Sequence, residues 1–178
     1  MSQRNSDYPR RPNEDYPTPA WVTTVIAEHL QTEALRVWEP AAGNGALAEA
    51  LAAFGYRVTA TTDDFFAHTE PPDYVDAIVT NPPYGDDRRG ALACAFIAHA
   101  LKLDVPVVAM LLRVDFDSAK TRAALFRDCP HFAGKIVLLD RIQWFPGAST
   151  PSDNHAWFVW EQKRRFRHPW IRYAEKAA

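Results

Sequence analysis

The chain has 178 residues, 47% of them hydrophobic and 24% charged, with a formal net charge of −2. This is the length and balance of one globular domain with a real core, and the charge excludes a protein that meets nucleic acid through its overall field: any basic surface must be local. Cys94 and Cys129 form neither a metal-ligand spacing nor a disulfide framework, and no metal is expected. Both read as small apolar residues in helices, which suits a reducing cytoplasm. No charged-then-apolar leader opens the sequence and no apolar run is long enough to span a membrane, so the expectation is a cytoplasmic protein.

In chain order, residues 1–15 are polar with Pro9 and Pro12 and read as a flexible arm. Trp21, Val22, Val25, Ile26 and Leu30 recur at helical spacing and predict an amphipathic helix. Leu35–Glu39 is a short strand, followed by glycines and an alanine- and leucine-rich helix over Ala46–Phe54. β-Branched residues predict a strand over Arg57–Thr62, and Tyr74–Thr80 is another. Ala91–Leu103 is helical, and Val105–Leu112 is the near-continuous apolar run of a strand buried on both faces. A short helix over Ser118–Phe126 precedes two last strands, Lys135–Asp140 and Ala156–Trp160. Alternating strands and helices predict an α/β sandwich with a mainly parallel central sheet. The stretch Arg141–His155 carries Pro146, Gly147 and Pro151 and no helical period, so it predicts one antiparallel strand near an edge of the sheet.

Trp38-Glu39-Pro40-Ala41-Ala42-Gly43-Asn44-Gly45 joins the first strand to a helix. Glycines there let a backbone turn and let a ligand approach closely, and the helix start adds free N–H groups. Ala48 stands where a dinucleotide fingerprint needs its third glycine, and no Gly-Lys-Ser/Thr follows, so neither a dinucleotide nor a phosphate loop is implied. The loop is either a ligand cradle or a tight turn. Asp63 ends the second strand, where a carboxylate can accept from both hydroxyls of a ribose or cap a turn; Asp64 can take either role instead.

The third strand ends in Asn81-Pro82-Pro83-Tyr84. The prolines stop the strand and hold Asn81 out of helical geometry. This presents two acceptor oxygens, the Asn81 side chain and the Pro82 carbonyl, to a planar amino group with two hydrogens to give, such as the exocyclic NH2 of adenine. Tyr84 can stack on the ring. Methyl transfer to such a nitrogen is mainly a matter of alignment, so no His or Lys base need stand beside the motif.

These segments resemble the S-adenosylmethionine-dependent, Rossmann-like methyltransferases of the amino-methylating branch, particularly the adenine-N6 DNA methyltransferases of bacterial and phage origin. Glu39-Pro40-Ala41-Ala42-Gly43-Asn44-Gly45 is similar to that family's cofactor loop, Asn81-Pro82-Pro83-Tyr84 to its catalytic motif, and Tyr16-Pro17-Thr18-Pro19 to its N-terminal cofactor-contacting segment. The resemblance implies S-adenosylmethionine as cofactor, contacted by Tyr16, Thr18, Pro19, Glu39, Pro40, Ala41, Gly43, Gly45, Asp63, Asp64 and Asn81. It implies catalysis at Asn81, Pro82, Pro83 and Tyr84, with adenine N6 in nucleic acid as acceptor, DNA ahead of RNA. The methyltransferase domain spans 16–162, with a basic, aromatic tail over 163–178. Between Asp63 and Asp76 the stretch is too short for the helix and strand that members usually carry, and no separate target-recognition domain is expected from these residues. Protein glutamine methylation shares the motif, because an amide NH2 presents the same two hydrogens; a non-catalytic cofactor- or nucleic-acid-binding module is the third reading.

Arg113, Trp144 and Phe145 are the candidate substrate contacts, placed at the same end of a parallel sheet. The aromatics either wall a flipped base or fold onto the core. Arg113 either pairs with Asp115 or meets a phosphate. His155 is assigned no role. The tail, with Lys163, Arg164, Arg165, Arg167 and interleaved aromatics, either tracks a phosphate backbone or is a solvated end, the latter favoured.

Overall fold

The computed structural model describes residues 16–30, 35–83, 90–145, 153–164 and 166–177. The expected arm, Tyr84, the 85–89 loop, the Pro146–Pro151 stretch and Arg165 lie outside the described residues.

Helix α1 (Ala20–Leu30) starts where the Pro19 carbonyl accepts from the Val22 and Thr23 amides at 3.0 and 3.3 Å. Its Val22, Ile26, Ala27 and Leu30 make a buried stripe. There follow β1 (Arg36–Glu39), α2 (Ala46–Ala53), β2 (Arg57–Ala60), β3 (Ala77–Thr80), α3 (Ala91–Lys102), β4 (Val107–Arg113), β5 (Phe132–Leu138), β6 (His155–Glu161) and β7 (Trp170–Ala174). The seven strands form one sheet in the order β2-β1-β3-β4-β6-β5-β7. All run parallel except β6, which is antiparallel to both β4 and β5. The sequence leading into β6, which carries no helical period, is consistent with this, since a parallel return would need a crossover.

Each face of the sheet carries its own core. Helices α1 and α2 cover Val37, Val79, Leu111, Trp157 and Val159. Helix α3 and the segment after β4 cover Trp38, Ile78, Met110, Phe158 and Trp160. The indole N–H groups of the buried tryptophans find carbonyls across these layers: Trp157 donates to Val22 O at 2.9 Å and Trp160 to Leu125 O at 2.8 Å. No helix among the described residues is long and apolar enough to cross a membrane.

Three expectations need correction. Ser118–Phe126 is not an α-helix but two 3-10 segments, Phe116–Ser118 and Lys120–Leu125, and Cys129 lies beyond them, outside any helix. Strand β3 begins at Ala77 rather than Tyr74, because the Asp76 carboxylate takes the Arg36 amide at 2.9 Å and ends the run. The tail is not simply a solvated end, since Trp170–Ala174 pairs in parallel with β5 as the outer strand of the sheet. Between β2 and β3, as the short spacing implies, there is only a 3-10 turn, Phe65–Ala67, and β2 is left as the opposite edge.

Strand β7 can dock because β5 has glycine at 134. A Cβ there would collide with the Trp170 carbonyl and indole, and the ladder to β6 shifts register at the same point. Gly134→Ala is expected to destabilise the protein by about 1–3 kcal/mol through this overlap. Denaturant unfolding should show a lowered midpoint, and an unchanged midpoint would mean that β7 adds nothing to the fold.

Candidate active site

Strand order reverses beside β1, where β2 lies on one side and β3 on the other, all three running parallel. In open parallel sheets ligands bind at such a switch point, beyond the carboxyl ends of the strands. A cavity of about 850 Å³ lies there. Its walls come from the ends of β1 (Glu39–Asn44), β2 (Thr62–Phe66) and β3 (Asn81–Pro83), from Tyr16–Thr18, and from Leu47, Leu92 and Phe96 on the helices.

The β1 wall is built by loop geometry. Gly43 and Gly45 have φ of 51° and 84°, values that a side chain would strain. Asn44 Oδ1 accepts from the Ala46 amide at 3.1 Å, closing the turn into α2. The Ala42 amide donates to Thr61 O at 3.0 Å and the Thr61 amide to Glu39 O at 2.9 Å, which ties this loop to the end of β2. Glu39 is 2% exposed, and its Oε2 has no hydrogen-bond partner. Burial pushes its carboxyl up to about 8 from an ordinary 4.5, partly opposed by the Ala48 N–H it accepts. The protein therefore holds a protonated carboxyl against the cavity at neutral pH, ready to ionise if a cation arrives.

At the β2 wall the two aspartates divide their roles. Asp64 Oδ1 accepts from the Phe66 amide at 3.0 Å and caps the 3-10 turn. Asp63 is held only at one edge, by His68 Nε2 at 3.0 Å, and its side chain is 63% exposed. A carboxylate so placed can accept from a vicinal pair of hydroxyls. Phe65 is buried against Phe96, with centroids 4.8 Å apart, and leaves Phe66 on the cavity rim.

Asn81 closes the third wall. Its Nδ2 donates to Tyr16 O at 3.4 Å and to Thr18 Oγ1 at 3.3 Å. Its Oδ1 is buried with no partner. An unmatched buried acceptor costs free energy, on the order of 1–3 kcal/mol, and marks a place where a donor would be welcome.

Of the sequence-predicted residues, the cavity brings together Tyr16, Thr18, Glu39, Pro40, Ala41, Gly43, Asp63, Asp64, Asn81, Pro82 and Pro83. Pro19 and Gly45 stand behind it: the first starts α1 and the second caps α2, its carbonyl accepting from Glu49 N at 2.9 Å. Trp144 and Phe145 do not line the cavity but pack on Tyr16, with centroids 5.5 and 5.8 Å away, and Trp144 also packs on the core. Arg113 lies outside it too, paired with Asp115 at 3.2 Å and near Asp153 at 3.8 Å. His155, opposite Arg113 in the β4–β6 ladder, is buried under Trp144, and desolvation lowers its pKa to about 4, so it stays neutral. Lys163, Arg164 and Arg167 precede β7 at the amino-terminal ends of the parallel strands, away from Asn81. Sequence reasoning missed Phe66, Leu92 and Phe96; Leu92 and Phe96 are four residues apart on α3, which by spacing alone reads as core. Among the described residues no group of three or more His, Cys, Asp or Glu is arranged to hold a metal ion.

No family model matches the chain, and no curated protein matches it in sequence. Solved structures do match in shape. One is a protein of Listeria monocytogenes described as a class I S-adenosylmethionine-dependent methyltransferase, with a TM-score of 0.65 at 15% identity over 94% of this chain and 68% of that one. The 23S rRNA methyltransferase ErmE matches with a TM-score of 0.55 at 17% identity, over 84% of this chain and 70% of its own. A modification subunit of a type I restriction enzyme from Vibrio vulnificus matches at 0.61 and 12% identity, over 90% of this chain and 46% of its own. At these identities the likeness is one of fold: the chain has the Rossmann-like methyltransferase sandwich.

Proposed function

We propose that the cavity binds S-adenosylmethionine and that the chain transfers its methyl group to an exocyclic amino nitrogen, adenine N6 in nucleic acid, with DNA the first acceptor. The observation that carries this reading is the unpartnered Oδ1 of Asn81, held at the cavity wall by two hydrogen bonds to the other end of the same amide. The residues present fit the cofactor. The unmatched Glu39 carboxyl suits its ammonium group, the Gly43–Asn44 turn admits it closely, Asp63 suits its ribose, and Phe66, Leu92 and Phe96 offer an apolar wall to its adenine. Bound there, S-adenosylmethionine supplies a methyl group activated by a sulfonium centre.

The chain itself contributes orientation. Asn81 Oδ1 and the Pro82 carbonyl accept the two hydrogens of the acceptor amine, fix its nitrogen and raise its electron density. The nitrogen becomes acidic once alkylated and gives up its proton to water, so the site needs no general base, and His155 offers none, because it is buried outside the cavity and desolvation makes it a weak base. The motif itself serves an adenine and an amide alike, and adenine is favoured by the resemblance of Tyr16–Pro19, Glu39–Gly45 and Asn81–Tyr84 together, in that order, to the adenine-N6 enzymes; the likeness of fold to both rRNA- and DNA-modification proteins is compatible with either nucleic acid.

The test is transfer of labelled methyl groups to a panel of duplex DNA, single-stranded DNA, RNA and a glutamine-containing protein. Label in DNA is expected. Label in RNA alone would change the acceptor, and label in protein alone, or in none of them despite cofactor binding, would overturn the reading.

A further inference from the structure

We propose that Thr18 is a positioning residue for Asn81, acting on the rate of methyl transfer rather than on cofactor affinity; this rests on the function proposed above. An asparagine amide has two ends of nearly equal shape, and only one orientation offers an acceptor to an incoming amine. Two bonds decide the matter here. The Tyr16 carbonyl can only accept, so the 3.4 Å contact to it admits Nδ2 and repels Oδ1. Thr18 Oγ1, at 3.3 Å, takes the second amide hydrogen, so both N–H groups of Asn81 are used on the same short segment. Oδ1 is thereby turned away, buried and unmatched.

The segment is a firm bracket. On one side the Tyr16 ring packs against Trp144 and Phe145. On the other the Pro19 carbonyl is locked into the first turn of α1. Thr18 between them is buried, 4% exposed. Without that hydroxyl the amide keeps a single long bond, and one of its N–H groups loses its partner beside the cavity. Asn81 then spends less time with Oδ1 aligned on the acceptor nitrogen, a loss felt in the transition state.

Thr18→Val removes the acceptor at nearly constant shape. It is expected to lower kcat about tenfold, the scale of one hydrogen bond at a catalytic group, and to leave the Kd for S-adenosylmethionine within about threefold of wild type. Thr18→Ser keeps the hydroxyl and should restore kcat to within about threefold of wild type. Thermal unfolding of the free proteins reports folding independently of both readouts. Loss of affinity with kcat preserved, an unchanged kcat in Thr18→Val, or failure of Thr18→Ser to rescue a folded protein would each overturn the positioning role. Asn81→Ala run in parallel separates the two levels: if it too leaves methyl transfer intact, the failure is that of the proposed function itself.

Discussion

Asn81→Ala is expected to lower the rate of methyl transfer by about 100- to 1,000-fold, the usual effect of deleting one preorganised hydrogen-bonding group at a reacting atom. Cofactor affinity should change by no more than about threefold, because Glu39, the Gly43 turn and Asp63 remain. The two ends of the Asn81 amide differ in what they meet. One end is satisfied by Tyr16 and Thr18, and the other is a buried oxygen with nothing to accept from. Deleting the side chain removes an unmatched acceptor along with two modest hydrogen bonds, so stability should stay within about 1 kcal/mol of wild type. A folded, cofactor-binding, inactive protein is the expected outcome, read by thermal unfolding, titration of S-adenosylmethionine and single-turnover rates. Retained activity would remove Asn81 from the mechanism.

The second large effect concerns Glu39. In the folded free protein its carboxyl holds a proton up to about pH 8, whereas the unfolded chain releases it near the ordinary value of 4.5. Between those values the native state binds more protons than the unfolded one, so the contribution of Glu39 to stability is fully present below pH 4.5 and is lost as pH rises through 8. Glu39→Gln keeps an oxygen for the Ala48 amide and has no proton to release. It is therefore expected to flatten that slope and to be more stable than wild type at pH 8.5, by about 2–4 kcal/mol, since each tenfold change in proton affinity is worth about 1.4 kcal/mol. Function should move the other way. A cationic ligand favours the ionised carboxylate, so cofactor binding at pH 7 should release a proton and tighten as pH rises toward 8, and Glu39→Gln should lose this dependence along with about tenfold in affinity. The cofactor's own amino group titrates at about 7.7–8.0, and comparison of the two proteins in buffers of different ionisation enthalpy isolates the carboxylate. A variant that is less stable at pH 8.5 and binds as tightly as wild type would contradict the account.

Much of the architecture is legible in the order of residues because the relevant signals are local. The stretch after β5, with prolines and no helical period in its sequence, announces the antiparallel strand, and the short run between Asp63 and Asp76 announces that a strand is missing at that edge. Strand β7 is not legible for the opposite reason. Its residues are aromatic and basic, only five of them pair, and what admits them is the absence of a side chain at Gly134, more than thirty positions upstream in sequence. The same division runs through the site. Glu39 and Asn81 stand out because each ends a strand next to glycine or proline. The Thr18–Asn81 bond, 63 residues apart, can be found only when the chain is folded. Arg113 is conspicuous as a charge after an apolar strand, yet its guanidinium is taken by Asp115.

The most direct measurement is the identity of the methylated product. DNA treated briefly with the enzyme and S-adenosylmethionine, digested to nucleosides and resolved by mass spectrometry, should contain N6-methyldeoxyadenosine, reduced by about 100- to 1,000-fold at equal times when Asn81→Ala replaces the wild-type protein. Methyl groups found on cytosine C5 or on a ribose hydroxyl, or equal N6-methyldeoxyadenosine from both proteins, would contradict the assignment of Asn81 as the group that holds a flat amine for methylation.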